Sequence, residues 1–328
     1  MTKLPLLDVK SLVVDYRTSR GTVRAVENVS FSLEKGGTLG LAGESGSGKS
    51  TLGLSLIRLV PYPGVIVNGH IEIGGTDILK LSENEMLSIR GRKIAYIFQD
   101  PMSSLNPVEK IGEHFVELIR THEPNTTKEA SLERTKDILN NLGIQPERIN
   151  DYPHQFSGGM RQRIMIGLAI AMNPDLVIAD EPTTALDVIV QAKILDLLEN
   201  LRKIYGMALI LISHDLSIIL ERCNKIIIMY AGQMVEYANS IELHKASKHP
   251  YTQGLLHSIP NIELSDQKLT AIPGSPPNML NLPKGCHFQD RCPYVKKICH
   301  EKEPALIDVG RSHLVRCFLY SQEGANIE

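Results

Sequence analysis

A run of residues from Gly43 to Thr51 has the composition and order of a loop that binds phosphate groups. It reads Gly43-Glu44-Ser45-Gly46-Ser47-Gly48-Lys49-Ser50-Thr51 and fits the pattern G-x-x-x-x-G-K-S/T. Glycines let the backbone approach an anion closely, and Lys49 can reach the β- and γ-phosphates of a nucleotide. The hydroxyl of Ser50 is a suitable Mg²⁺ ligand. The segment therefore predicts a site for the phosphates of a nucleotide and for Mg²⁺.

Two adjacent carboxylates end a second apolar run. Residues 176–179 read as a buried strand, and Asp180 and Glu181 follow it directly. The carboxyl ends of parallel strands are where α/β proteins bind their ligands. We expect Asp180 to bind Mg²⁺, directly or through water, and Glu181 to polarise the water that attacks the γ-phosphate.

A serine followed by two glycines marks the start of a further helix. The segment Phe156-Ser157-Gly158-Gly159-Met160 precedes a helical run over 161–172. Backbone N–H groups exposed at a helix start favour an anion. Nothing in the first phosphate site requires this second one, so its simplest interpretation is that it completes a nucleotide site on another subunit.

The elements that must position these residues alternate along the chain. Short apolar strands are followed by longer helical patterns, which predicts an α/β fold with a parallel sheet. A strand over 38–42 and an amphipathic helix over 50–59 hold the phosphate loop between them. Asn68-Gly69, between two extended runs, predicts an antiparallel hairpin in the N-terminal part.

From about residue 106 to residue 172 the pattern is helical and predicts an inserted helical subdomain. Thr126-Thr127-Lys128-Glu129 has the form of a capping box at the start of a helix, and Gly143 marks a stop. Beyond residue 260 prolines and glycines become frequent. We therefore predict one domain over 1–260 and a small C-terminal extension over 261–328.

Charge and hydropathy restrict the class of protein. The chain has 328 residues, a formal net charge of -2 and a pI near 6.6, which disfavours binding to nucleic acid. Its most apolar runs fall far short of the ~20 residues that cross a bilayer. Asp8 interrupts the first apolar stretch, so we expect no secretory signal and a cytoplasmic location.

Four of the 5 cysteines lie close together near the C-terminal end: Cys286, Cys292, Cys299 and Cys317. Their thiolates are suitable ligands for zinc or for an iron–sulfur cluster, and the spacing does not choose between these. A third interpretation is four reduced thiols packed in a small domain. The remaining cysteine, Cys223, lies in an apolar stretch and is expected in the core.

These motifs, in this order, resemble those of ATP-binding-cassette proteins. Ser157 to Met160 resembles the family's signature motif, although the usual Leu-Ser-Gly-Gly-Gln is here Phe-Ser-Gly-Gly-Met. The resemblance implies a P-loop NTPase cassette with ATPase activity. It also implies roles for single residues. Gln99 would contact Mg²⁺ and the attacking water, and Asp187 in Ala185-Leu186-Asp187 would sense the partner cassette. His214 would contact the γ-phosphate, and Tyr16 would stack on adenine.

The same resemblance implies an assembly. Two cassettes pair head to tail, and each ATP lies between the phosphate loop of one subunit and the signature motif of the other. Closure of the dimer is then transmitted to membrane helices docked near Gln99 and the helical subdomain.

A narrower resemblance, to the dipeptide, oligopeptide and nickel uptake group, rests on the segments 99–107 and 160–163, on His249-Pro250-Tyr251-Thr252 and on the C-terminal cysteine region. It implies the ATP-hydrolysing subunit of an importer, most readily of peptides, at the cytoplasmic face of the membrane. Its partners would be a distinct second ATPase subunit, two transmembrane permease subunits and an extracytoplasmic substrate-binding protein. In that group's D-type subunits the four cysteines hold a [4Fe-4S] cluster, which we predict here with Zn²⁺ as the alternative.

Two rival functions are considered. A cassette ATPase acting on nucleic acid or ribosomes usually has two cassettes or a long coiled coil, and this chain has one phosphate loop and no sustained heptad pattern. A redox or metal-storage protein would leave the nucleotide motifs unexplained.

Overall fold

Alternating strands and helices build the fold, as the sequence pattern predicts. The computed structural model describes residues 4–100, 104–184, 186–259 and 272–321. The strands in these residues are β1 (Leu7–Thr18), β2 (Gly21–Leu33), β3 (Thr38–Ala42), β4 (Gly64–Ile73), β5 (Thr76–Asp77), β6 (Ile94–Ile97), β7 (Leu176–Asp180), β8 (Ala208–Ser213), β9 (Lys225–Tyr230), β10 (Gln233–Asn239), β11 (Ile307–Asp308) and β12 (Leu314–Val315).

Ten α-helices are described, several of them short. They are α1 (Lys49–Ser55), α2 (Glu83–Ile89), α3 (Ile111–His122), α4 (Lys128–Asn141), α5 (Gly158–Ile170), α6 (Val188–Tyr205), α7 (Leu216–Arg222), α8 (Ser240–Ala246), α9 (Pro250–His257) and α10 (Lys297–Glu301). Within the described ranges, no helix is both long enough and apolar enough to cross a membrane.

The chain divides into two units. The first contains the described residues of Met1–Leu6, Leu33–Gly37 and Ile73–Ile210, and the second contains those of Leu7–Ser32, Thr38–Glu72 and Leu211–Glu328. Each unit has parallel strand pairs. In the first, β6 pairs in parallel with β7, and in the second, β3 pairs in parallel with β9. The predicted parallel pairing is confirmed, and every residue of β3 and β7 is buried, as expected of strands covered on both faces.

An N-terminal antiparallel sheet is also present, but not through the predicted hairpin. β1 and β2 are joined by two residues and lie in the order β2-β1-β4. Asn68-Gly69 does not form a turn, because both residues lie inside the continuous strand β4. Gly69 has φ +123°, and a Cβ there would come within 2.7 Å of the Leu12 Cα in β1. Glycine is therefore required by the close approach of two strands rather than by a turn.

The helices α3, α4 and α5 pack against one another within the predicted helical region. The N-cap of α4 is Thr127, whose hydroxyl accepts from the Ala130 N–H at 3.2 Å, so the predicted capping box at Thr126 and Glu129 is wrong by one residue. Gly143 has φ +69° just after the helix and ends it, as predicted. In α5, Gly167 leaves no room for a side chain, because its Cβ would lie 2.5 Å from Leu142.

The C-terminal part adds strands to the second unit. β12 pairs antiparallel with β10, with Val315 opposite Glu236, and β11 pairs with β12. The predicted boundary near residue 260 falls outside the described residues. The division into 1–260 and 261–328 stays a prediction.

Candidate nucleotide site

The phosphate loop lies between β3 and α1, in the conformation that its glycines permit. Gly43 has φ +145°, and a Cβ there would lie 2.2 Å from the Met229 carbonyl oxygen. Gly48 has φ +103°, and its Cβ would lie 2.1 Å from the Ala25 carbonyl oxygen. No other residue type fits these two positions, because both the backbone angles and the surrounding backbone atoms exclude a side chain.

The side chain of Lys49 is turned onto the loop. Its ammonium group donates to the carbonyl oxygens of Gly43 at 2.8 Å and Glu44 at 2.9 Å, and the residue is buried. Ser47 is buried beside it, whereas Ser45, Gly46 and Ser50 are exposed. The loop thus surrounds the positively charged ammonium group of Lys49, and a positive charge at this place favours binding of a polyphosphate.

Tyr16 of β1 lies beside the end of the phosphate loop. Its hydroxyl is 3.4 Å from the Thr51 hydroxyl in α1, and its ring is partly exposed. The position suits an aromatic residue that stacks on the base of a nucleotide whose phosphates lie on the loop. The stacking role itself stays a prediction.

Asp180 ends β7 and is oriented by a neighbouring tyrosine. The Tyr96 hydroxyl donates to Asp180 Oδ2 at 2.7 Å, and Asp180 is 6% exposed. Burial, and then the Asp180 carboxylate, raise the pKa of Tyr96 far above its ordinary value, so the hydroxyl remains a donor. Sequence reasoning missed Tyr96, although Tyr96 lies in the strand that pairs in parallel with β7, opposite Ile178.

Glu181, the predicted catalytic carboxylate, has an unusual backbone conformation and accepts hydrogen bonds from neighbouring side chains. Its φ is +45°, a conformation that non-glycine residues rarely adopt and that recurs at functional sites. Oε2 accepts a hydrogen bond from Gln99 Nε2 at 3.0 Å and another from the Thr184 hydroxyl at 3.0 Å. The structure therefore brings together two of the predicted residues, Gln99 and Glu181, and adds Thr184.

The signature segment and Asp187 both lie at helix starts. Ser157 caps α5 by accepting from the Met160 N–H at 3.4 Å. The N–H groups of Gly158 and Gly159 belong to the first turn of α5, where no helical partner is available to them. Asp187 caps α6 by accepting from the Val190 N–H at 2.9 Å. Ala185 of the same motif lies outside the described residues.

His214 follows β8 and is exposed. The next residue, Asp215, caps α7 through its side chain, which accepts from the Ser217 N–H at 2.9 Å. The predicted position of His214 after a buried strand is thus observed. Its γ-phosphate contact stays a prediction.

The four C-terminal cysteines line a single small cavity together with aromatic side chains such as Phe288 and Phe318. Burial raises the pKa of Cys286 to about 12 and that of Cys317 to about 11, and it also raises the pKa of Cys292. These thiols are therefore protonated near neutral pH. Cys223 is buried in the core, as predicted.

Zinc-binding geometry is not found at these cysteines among the residues that the structure describes. In a zinc site the sulfurs lie about 3.8 Å apart, because each Zn–S bond is about 2.3 Å long. Among the described residues, one group of potential metal ligands has all its ligand atoms within 4.8 Å of one another. It consists of Glu27, His287 and Glu303 and contains no cysteine. The Gln233 amide donates to both carboxylates of that group, at 2.9 and 3.2 Å.

Comparisons with known proteins decide the family. Residues 26–184 match the family model described as ABC transporter, and residues 235–299 match the one described as oligopeptide/dipeptide transporter, C-terminal region. The oligopeptide transport ATP-binding protein OppD of Bacillus subtilis (strain 168) is 46% identical over 98% of this chain and 91% of that protein. The chain belongs to the ABC transporter ATPase family.

Further relatives agree with this assignment. The dipeptide transport ATP-binding protein DppD of Escherichia coli (strain K12) is 44% identical over 92% of this chain and 93% of that protein. A solved dimeric ATP-binding cassette in a post-hydrolysis state with ADP and Pi has 27% identity and a TM-score of 0.64, over 71% of this chain and 98% of that one. The fold is therefore the P-loop NTPase cassette that the motifs predict.

The comparisons contradict the predicted [4Fe-4S] cluster. The relatives match the chain over nearly its whole length, cysteine region included, and are named as ATP-binding proteins with no iron–sulfur cluster among their descriptions. The iron–sulfur prediction is wrong. The alternative of Zn²⁺ lacks the required sulfur geometry, and what the structure shows at Cys286, Cys292, Cys299 and Cys317 is a set of partly buried thiols.

Proposed function

We propose that the chain is the ATP-hydrolysing subunit of an importer for dipeptides or oligopeptides. The observation that carries the proposal is the 46% identity to an oligopeptide transport ATP-binding protein over 98% of the chain. The match of residues 235–299 to the C-terminal region of oligopeptide and dipeptide transporters supports the peptide cargo. The turned-in Lys49 and the oriented Glu181 support hydrolysis.

In the proposed reaction the chain supplies positioning and charge. Lys49 and the loop amides bind the phosphates, and the His214 side chain contacts the γ-phosphate. Glu181, held by Gln99 and Thr184, accepts a hydrogen bond from the attacking water and orients it. The Ser50 hydroxyl and the Asp180 carboxylate are oxygen donors of the kind that Mg²⁺ prefers, with Gln99 as a further ligand. Mg²⁺ would neutralise charge on the phosphates.

A second cassette completes each site in this proposal. Ser157, Gly158, Gly159 and Met160 would contact the ATP held by the partner, and Asp187 would contact the partner's site. Val188 and Ile189, which follow Asp187, are 79% and 69% exposed. These two exposed apolar side chains next to Asp187 support the proposal that the partner cassette covers this surface.

The further partners follow from the same proposal. They are a distinct second ATPase subunit, two transmembrane permease subunits and an extracytoplasmic substrate-binding protein, which place the chain at the cytoplasmic face of the membrane. The rival function, an ATPase acting on nucleic acid or ribosomes, is not favoured, because the net charge is -2 and the relatives are transport proteins.

The test is peptide uptake in reconstituted vesicles that contain this chain, its partner ATPase and the permease subunits, with the binding protein supplied. Wild-type vesicles should accumulate a labelled dipeptide or oligopeptide with ATP. Glu181→Gln should bind ATP but lose uptake and turnover by about 100-fold or more. The exposed Glu133→Gln is the matched control. Uptake that persists in Glu181→Gln would contradict the catalytic role, and wild-type ATPase activity without peptide uptake would contradict the cargo.

A further inference from the structure

A residue of the C-terminal part holds the phosphate loop through a partly buried ion pair. Arg291 Nη1 donates to Glu44 Oε2 at 2.8 Å, and Nη2 donates to Glu44 Oε1 at 2.9 Å. The two parallel hydrogen bonds fix both the position and the plane of the carboxylate, as a single ammonium group would not. Glu44 is the second residue of the loop, immediately after Gly43.

The guanidinium group is itself held rigidly. Arg291 is 6% exposed, its Nε donates to the Pro273 carbonyl at 2.8 Å and its Nη1 is 3.3 Å from the Tyr230 hydroxyl. It also lies 5.9 Å from the centre of the Phe288 ring. Its hydrogen bond to Glu44 is the largest cause of the raised pKa of Arg291. Separation of Arg291 from Glu44 would leave a buried guanidinium charge without its counter-ion, which is energetically costly.

The backbone of Glu44 has a separate anchor. Its N–H donates to the Tyr251 hydroxyl at 2.8 Å. Tyr251 is fully buried and packs against Tyr230 and Phe288, with ring centres 4.6 and 5.4 Å away. Both the side chain and the backbone of this loop residue are therefore fixed by residues that follow β10 in sequence.

The anchored residue contacts the loop lysine directly. The carbonyl oxygen of Glu44 accepts from Lys49 Nζ at 2.9 Å. Arg291, Glu44 and Lys49 thus form a continuous chain of contacts from the C-terminal part to the group that binds phosphate. A change in the position of Arg291 would displace the carbonyl that orients the lysine.

We propose that Arg291 is a positioning residue for the phosphate loop, so that the C-terminal part of the chain takes part in nucleotide binding. The inference rests on the nucleotide-binding role proposed for residues 43–51. It predicts that loss of the Arg291–Glu44 pair weakens binding of the phosphates and leaves binding of the nucleoside part unchanged.

The test measures Kd values of the full-length chain for MgATP, MgADP and AMP by displacement of a fluorescent ATP analogue. Arg291→Ala and Glu44→Gln should each raise the Kd for MgATP and MgADP by about tenfold, a typical coupling factor between linked sites. The double variant should be no weaker than Arg291→Ala alone, because both changes remove the same pair. The Kd for AMP should change much less, since AMP lacks the β- and γ-phosphates that Lys49 reaches.

Arg311→Ala is the matched control. Arg311 lies in the same part of the chain and pairs with Glu242, but its side chain is 81% exposed, so nucleotide binding should not change. If a thermal melt shows that Arg291→Ala is not folded, the affinities of Arg291→Lys and Glu44→Gln test the inference instead. Lysine keeps the positive charge but cannot form the two parallel hydrogen bonds to Glu44. The affinity of Arg291→Lys for MgATP should therefore lie between that of Arg291→Ala and that of the wild type.

Wild-type affinity in both Glu44→Gln and Arg291→Lys would overturn the inference. So would additive losses in the double variant, or an equal loss for AMP, because either would indicate general destabilisation. Failure of the wild-type chain to bind any nucleotide is a different result, and it would contradict the proposed function together with this inference.

Discussion

The side-chain amide of Gln99 donates a hydrogen bond to the carboxylate of Glu181, with 3.0 Å between Nε2 and Oε2. The two residues are separated by 82 positions in sequence and follow the parallel strands β6 and β7. Because Glu181 also has φ +45°, its side chain is aimed by strained backbone at one end and by hydrogen bonds at the other. The loop that contains Gln99 is therefore in a position to control the carboxylate.

Removal of either hydrogen bond to Glu181 should lower ATP turnover. For Gln99→Ala and Thr184→Val we expect kcat to fall by about tenfold, because a hydrogen bond to a charged group contributes roughly 1.5 kcal/mol or more. For Thr184→Val the KM for ATP should change little, since Glu181 acts on the water rather than on the bound nucleotide. Gln99→Ala also removes a proposed Mg²⁺ ligand, so its KM for MgATP should rise. Steady-state ATPase assays with the partner subunits measure both constants. The exposed Gln145→Ala is the control, and an unchanged kcat in both variants would exclude this orienting role.

Loss of the Tyr96 hydroxyl should alter the Mg²⁺ dependence of activity. Tyr96→Phe removes the donor to Asp180 and keeps the aromatic ring. We expect the Mg²⁺ concentration for half-maximal ATPase activity to rise about tenfold, as is typical when the partner of a metal ligand is lost. A Mg²⁺ titration at saturating ATP measures this shift. Tyr62→Phe, at a position that is 98% exposed, should behave as wild type, and an unshifted Tyr96→Phe curve would place Asp180 outside the Mg²⁺ site.

Asp187 has a structural role that is separable from its proposed role toward the partner cassette. Asp187→Ala should lower the free energy of unfolding by about 1 kcal/mol, because α6 loses its N-cap. Asp187→Ser keeps a capping oxygen and should restore most of that stability. Chemical denaturation of the chain alone measures the cap. If Asp187→Ser is stable but still lowers ATPase activity with the partner, the carboxylate acts across the interface; full activity would assign it to capping alone.

The buried thiols should make the protein less stable at high pH. Burial raises the pKa of Cys286 to about 12 and that of Cys317 to about 11. The unfolded chain therefore loses these protons at lower pH than the folded chain, and the associated stability is present below about pH 8.5 and is lost as the pH rises toward 11. Denaturation midpoints at pH 8 and pH 10.5 under reducing conditions measure the loss.

Cys286→Ser is the matched variant for the thiol prediction, because lysines and tyrosines also titrate in this range. It should lose less stability between the two pH values than the wild type does. Thiol labelling at pH 8 should also be slow in the folded protein and fast in denaturant, since the thiolate is the reactive form. Rapid labelling of Cys286, Cys292 and Cys317 in the folded chain would contradict their raised pKa values.

Local sequence was sufficient for the elements whose conformation depends on neighbouring residues. The phosphate loop, the strand that ends at Asp180 and the helix that begins after Ser157 were all predicted, because glycine spacing, apolar runs and capping residues act within a few positions. The hairpin predicted from Asn68-Gly69 was wrong because it rested on local sequence alone. The dipeptide has the local form of a turn, but contact between β4 and Leu12 of β1 decides its conformation.

Tertiary structure alone decided the partners of the site residues. Arg291 and Glu44 are 247 positions apart, and Tyr96 and Asp180 are 84 apart, so no local pattern links them. The sequence by itself determined the family and the position of the phosphate loop, and it predicted the two carboxylates. Which side chains hold those groups in place was decided by the pairing of distant strands and by the burial of Arg291, because hydrogen bonds and desolvation depend on neighbours in space rather than in sequence.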